Sequence, residues 1–204
     1  MNQSYPLRTI CYGTHSGEAV KTQKITLDLL GPLITSKTRL KLLLRFFINQ
    51  NLSGYLQGLS KELDENTNSI RVELNRLEEA GLLRSELQGR RKLYQVNLAH
   101  PLTSDITSIV RKVSGIDAIV ERVEERVKEN LDQVWICGKL AQGLESDVIE
   151  VVLVGSYVDQ EYFAELIGKV FTVTEKQIDY DVIPNMPEEK SSECLLIWEK
   201  ERGF

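Results

Sequence analysis

Cysteine and histidine are scarce in this chain, with three cysteines and two histidines among 204 residues. Cys11, Cys137 and Cys194 share no short spacing with one another or with His15 and His100, so nothing in the sequence supports a metal site and no metal or other cofactor is expected. An odd number of cysteines fits a reducing cytoplasm better than a disulfide framework, and all three read as ordinary thiols. No apolar run reaches the roughly 18 residues that a membrane helix needs, and no signal-peptide core is visible. A soluble, cytoplasmic protein without a membrane partner is expected.

Charge is present in quantity but unevenly placed. The chain carries 25 Lys and Arg against 30 Asp and Glu, a net of −5. Residues 36–98 hold 11 Lys and Arg against 7 Asp and Glu, a net of 11 − 7 = +4, which leaves −9 for the remainder. A basic module inside an acidic protein fits a regulator that meets nucleic acid through one face.

The pattern inside that module is specific. A helix opening at Thr35-Ser36 has Leu40, Leu43, Leu44, Phe47 and Ile48 three and four residues apart, so it buries one face. Ser53 can cap a shorter second helix with Leu56, Leu59 and Leu63 on one side. The third helix opens at Asn66 or Thr67 and ends at Ala80-Gly81. Its Ile70, Leu74 and Leu77 face the core, which leaves Thr67, Asn68, Ser69, Arg71, Val72 and Asn75 on the outward side. Arg can pair two donors with guanine, Asn can bridge adenine and a valine methyl can meet thymine. A plain solvated helix face would look the same, and the next segment of the chain tips the reading. Leu82–Glu86 and Lys92–Val96 alternate apolar and polar residues around Leu87–Arg90, a hairpin with Arg90, Arg91 and Lys92 at or just after its tip, where cations reach phosphates.

The stretches Leu33–Leu40 and Thr67–Leu82 resemble bacterial winged-helix transcriptional regulators of the arsenic-repressor-like group. The resemblance covers about residues 33–100. It implies a winged helix-turn-helix whose third helix and wing bind double-stranded DNA, usually from a homodimer.

Beyond His100-Pro101 a helix runs from Ser104 or Asp105 to Val113, pauses at Ser114-Gly115 and resumes through Ile116, Ile119, Val120, Val123 and Val127. This apolar stripe either dimerises or packs on the C-terminal domain of its own chain. From Leu131 the pattern changes to short apolar strands, Val134–Cys137, Val148–Val154, Ile178–Ile183 and Cys194–Trp198, with a helix expected over Gln160–Val173. Gly138–Asp147 lies between the first two of these strands and is followed by Glu150 and Gly155. Over about residues 132–183 the arrangement resembles the minimal nucleotidyltransferase fold, which implies a Gly-Ser turn for triphosphate and two carboxylates, one residue apart, for two divalent cations. Lys139 stands where that pattern has serine. Asp147 and Glu150 lie three apart, so strand alternation cannot put both on one face. Asp179 or Asp181 can stand in for a third carboxylate. Gly138, Lys139, Asp147, Glu150 and Asp181 therefore read as a vestigial nucleotide site, with Lys139 either holding a phosphate or simply solvated.

The expected organisation is thus α+β or α/β in two domains. Residues 1–32 form an extension or dimer arm, 33–100 a winged helix-turn-helix, 101–130 a helical linker or dimerisation element, and 131–204 a degenerate nucleotidyltransferase-like domain. The expected function is a sequence-specific DNA-binding transcriptional regulator, homodimeric, open to an unknown small-molecule effector, and not an enzyme. The rival is a metal-dependent nucleotidyltransferase with a winged-helix targeting domain, in which Asp147, Glu150 and Asp181 hold Mg²⁺. A winged helix used only for protein contacts would not need Arg90, Arg91 and Lys92.

Overall fold

The computed structural model describes residues 30–126, 131–155, 167–168, 170–171 and 174–200. It is an α+β structure, with two sheets and helices among the described residues. The N-terminal extension and most of the helix expected over Gln160–Val173 lie outside the described residues.

Helix α1 spans Lys37–Phe47, and the Ser36 side chain accepts the Arg39 amide at 3.2 Å to start it. Leu42, Leu43, Leu44, Phe46 and Phe47 are all buried, so this helix is core on more than the one face expected. The reason is that later elements cover its back: Asn49 donates to the Ala141 carbonyl at 3.3 Å and Gln50 to Thr107 at 2.6 Å.

Strand β1 (Ser53–Tyr55) precedes α2 (Leu56–Glu62). Ser53 is therefore a strand residue and not the expected helix cap, because Ser53, Gly54 and Tyr55 pair with Gln95, Tyr94 and Leu93. Helix α3 covers Thr67–Glu79, with the Asn66 side chain accepting the Asn68 amide at 2.8 Å. Strands β2 (Leu83–Gln88) and β3 (Arg91–Val96) form an antiparallel hairpin through Gly89-Arg90, giving the sheet order β1-β3-β2.

Helices α4 (Thr103–Ser114) and α5 (Ile116–Arg126) are broken at Gly115, which is left-handed at φ 89°. Val110, Val113, Ile116, Ile119 and Val123 are buried in one continuous core with Phe46, Ile149 and Ile178. The stripe is thus covered within its own chain, while Leu102 and Ile109 stay exposed.

The second sheet holds β4 (Leu131–Cys137), β5 (Val148–Gly155), β6 (Gln177–Ile183) and β7 (Leu195–Glu199), in the order β6-β5-β4-β7. Strand β5 runs antiparallel to β4 and parallel to β6, and β7 runs antiparallel to β4. One face joins the main core through Val134, Ile136, Ile149, Val151 and Leu153. On the other, Val152, Val154 and Ile183 make a small separate cluster with Trp135, Cys137 and Met186. The short helices α6 (Gly138–Ala141) and α7 (Glu188–Ser191) cap this second sheet's connections.

Cys137 and Cys194 form a disulfide with their Cα atoms 4.3 Å apart. The reading of these two as ordinary thiols is corrected. Ile136 pairs with Leu195 where β4 meets β7, so the next position places the two cysteines opposite each other.

Candidate nucleic-acid interface

Helix α3 is fixed from beneath before it presents anything outward. Ile70 and Leu74 are fully buried and Leu77 nearly so. Glu73, itself buried, accepts from Ser36 at 2.9 Å, Arg39 at 2.8 Å and Arg76 at 3.0 Å. Burial alone would raise this carboxyl, but the hydrogen bonds from Arg39 and Ser36 and the charges of Arg39 and Arg76 hold it below its ordinary value. The start of α1 and the middle of α3 are thereby locked together.

The outward side then carries Asn68, Ser69, Arg71, Val72 and Asn75, all exposed. Thr67 behaves differently from expectation: its hydroxyl pairs with Ser60 at 2.9 Å, so it ties α3 to α2. Val72, at 39% exposure, offers an apolar contact between polar neighbours.

A groove of about 620 Å³ runs between α2, α3 and the β2–β3 hairpin, and Arg71 and Asn75 line it together with Arg90, Arg91 and Lys92. Lys61, Gln57, Tyr55 and Tyr94 complete its walls, and no carboxylate is among its lining residues. Lys61, Arg71, Arg90 and Arg91 make no ion pair or hydrogen bond to another side chain among the described residues. The remaining groove cation is committed, since Lys92 donates to Glu78 at 3.1 Å and lies 6.0 Å from the Tyr94 ring centre. Glu78 is held below its usual carboxylate value first by the Ser85 hydroxyl and then by Lys92, which together outweigh its burial.

Elsewhere most of the module's cations are paired, Arg39 and Arg76 with Glu73 among them, and only Lys37 and Arg84 outside the groove have no ion pair among the described residues. Lys41 meets Glu65 at 2.8 Å and Arg45 meets Glu62 at 2.9 Å. Four of the six unpaired cations of residues 36–98, Lys61, Arg71, Arg90 and Arg91, thus gather where α2, α3 and the β2–β3 hairpin meet.

The second nominated site comes together only in part. A cavity of about 690 Å³ is lined by Gly138, Lys139, Glu150 and Asp181, with Lys190 and the Cys137–Cys194 pair at its rim. Asp147 is absent from it. That residue lies before β5, next to Lys176, whose ammonium is pulled down by burial and lifted by Glu145 and Asp147. A Cβ at Gly138, where φ is 63°, would overlap the Glu150 carboxylate, which closes on the glycine turn. The carboxylates do not converge, and no group of three metal-ligating side chains occurs among the described residues. These residues do not fit a two-metal centre.

No family model and no curated protein matches this chain. A solved structure of reduced HlyU from Vibrio cholerae N16961 is 14% identical, with a TM-score of 0.33, covering 42% of this chain and 85% of that one. At that level the neighbour carries nothing about what this chain binds. The functional reading therefore rests on the chain's own geometry.

Three contributors escaped sequence reasoning. Lys61 sits on α2, and its helical position alone gives no sign that it borders the groove. Tyr55 and Tyr94 enter through the pairing of β1 with β3, in which Tyr94 faces Gly54, and that pairing is not visible locally. No helix among the described residues is long and apolar enough to cross a membrane.

Proposed function

We propose that this chain is a sequence-specific DNA-binding transcriptional regulator. Residues 33–100 act as a winged helix-turn-helix and 131–204 as a non-catalytic, nucleotidyltransferase-like domain that modulates or assembles it. The observation that carries the reading is the groove between α2, α3 and the wing, lined by Lys61, Arg71, Arg90, Arg91 and Lys92 and by no acid. A row of cations of which all but Lys92 are uncompensated, beside an exposed Asn-Arg-Val-Asn helix face, suits a polyanion that also presents base edges.

In this reading Arg71, Asn68 and Asn75 address bases from α3, Val72 meets a thymine methyl, and Ser69 contacts sugar or phosphate at the helix start. Arg90, Arg91 and Lys61 neutralise phosphates, with Lys92 in a supporting place because Glu78 competes for it. The protein works as a cytoplasmic homodimer on a palindrome whose half-sites lie about one helical turn apart. Selection of duplexes from a random pool, repeated with Arg71→Ala, tests this. Loss of enrichment in the variant supports the assignment, and unchanged enrichment removes Arg71 from it.

A further inference from the structure

The Cys137–Cys194 bond sits at a junction between the cavity and the winged helix. Both cysteines are half-buried and line the cavity beside the Gly138–Ala141 turn, the side from which a small reagent would approach them. The same turn is tied to the Cys194 segment a second time, by Gln142 donating to the Glu193 carbonyl at 3.1 Å. Its far end presses on α1. A Cβ on buried Gly143 would lie 2.5 Å from the Arg45 Cα, so backbone meets backbone there, and Asn49 donates to the Ala141 carbonyl at 3.3 Å.

Arg45 carries the contact onward. Its Nε donates to Glu62 on α2 at 2.9 Å, and its Nη2 reaches the Ser53 carbonyl on β1 at 3.5 Å. Nη1 is buried without a hydrogen-bond partner among the described residues, so this guanidinium is held by Glu62 and Ser53 alone. An unbroken run of contacts therefore joins the disulfide, the turn, α1 and α2, and α2 walls the cationic groove.

We propose that Cys137–Cys194 is a thiol-reducible switch whose state is transmitted through the Gly138–Gly143 turn to α1, and from there to the groove-lining helices. The chemistry is thiol–disulfide exchange with a low-molecular-weight thiol. One thiolate attacks a cysteine sulfur, giving a mixed disulfide and a protein thiolate. A second thiolate attacks the reductant sulfur of that mixed disulfide and expels the remaining protein thiolate, which leaves two protein thiols and the reductant as its own disulfide, with two electrons transferred to the protein. Oxidised, the segment bearing Glu193 and Cys194 clamps the turn against α1. Reduced, that clamp depends on the single Gln142 hydrogen bond and the β4–β7 ladder. The part of this inference that concerns DNA rests on the proposed function; the coupling to α1 does not.

The test uses the full chain carrying Cys11→Ser, so that only one disulfide can form, equilibrated in glutathione buffers of stepped ratio. Thiols are counted by alkylation and mass. Amide hydrogen exchange is followed in segments 42–49 and 138–144, alongside affinity for a selected duplex. On reduction, exchange in both segments accelerates by about tenfold or more and duplex affinity falls at least about fivefold, within the usual range of coupling between sites. A Cys137→Ser/Cys194→Ser variant no longer responds. If that variant does not fold, Asn49→Ala, which keeps the disulfide, is expected to blunt the response in 42–49 while leaving 138–144 responsive. Unchanged exchange in 42–49 on full reduction overturns the proposal, as does a bond that yields to glutathione only when the chain unfolds. Faster exchange in 42–49 without duplex binding in either state upholds the coupling and refutes the DNA-binding reading instead.

Discussion

Replacing Arg91 by alanine gives the most quantitative handle on the groove. Lys61, Arg71, Arg90 and Arg91 line it without an acidic partner, whereas Lys92 is held by Glu78. With Arg71 assigned to a base, three cations per protomer remain for phosphates, or six in a two-fold complex. At roughly 0.9 per neutralised phosphate, log K should fall against log salt with a slope of about −5.4. Arg91→Ala removes two contacts per complex, so the slope should flatten by about 1.8. Between about 50 and 150 mM salt this means a loss of roughly 400-fold for the parent chain and roughly 50-fold for the variant. Fluorescence anisotropy of a labelled duplex at four salt concentrations measures both. Lys41→Ala is the control, because Lys41 is already neutralised by Glu65 and lies outside the groove, and its slope should match the parent's. An Arg91→Ala slope equal to the parent's refutes the assignment, and so does a parent slope shallower than about −2.

Four further outcomes are expected from the geometry. Arg71→Ala should cost about 1–3 kcal/mol of specific binding and relax preference at one base pair, read by competition with singly substituted duplexes. Glu65, Glu73 and Glu78 are all held below the ordinary value of 4.5, so the unfolded chain binds more protons than the folded one as pH falls. Their contribution to stability is therefore complete above that value and lost as pH drops through the folded values; urea midpoints should hold from pH 7 to 5.5 and fall below 4.5, less steeply in Glu73→Gln. Gly138→Ala should destabilise by about 1–2 kcal/mol for the left-handed backbone alone, with a further penalty from Glu150. Adding Glu150→Ala should recover part of the loss, and strict additivity in thermal unfolding would mean that the two do not touch. Leu74→Ala, beneath α3, should cost about 2–5 kcal/mol in denaturant unfolding, and a value under about 1 would place Leu74 outside the core.

What was legible in the sequence was whatever local chemistry determines. Ser36 and Asn66 start their helices through their own side chains, so α1 and α3 could be placed within a residue or two. Gly115 marks the break between α4 and α5 because the backbone turns left-handed there. The alternation in β2 and β3 gave the hairpin, and the three-residue offset of Asp147 and Glu150 already implied that these acids diverge. What stayed hidden depends on partners distant in sequence. Ser53 looks like a helix cap until β3 recruits it into a strand. Thr67 looks outward until Ser60 captures it. Cys137 and Cys194 are separated by 57 positions and meet only because β7 returns beside β4. The all-round burial of α1 from Leu42 to Phe47 likewise needed the Gly143 turn, whose approach to Arg45 no local periodicity announces.

The central claim is that the α3 and wing face reads duplex DNA. Selection from a random duplex pool with the full chain, run in parallel with an Arg71→Ala/Arg91→Ala variant, tests it most directly. An enriched palindrome with half-sites about one helical turn apart is predicted for the parent chain and none for the variant. Absence of enrichment from the parent in both the oxidised and the reduced state, or an identical motif from the variant, would contradict it.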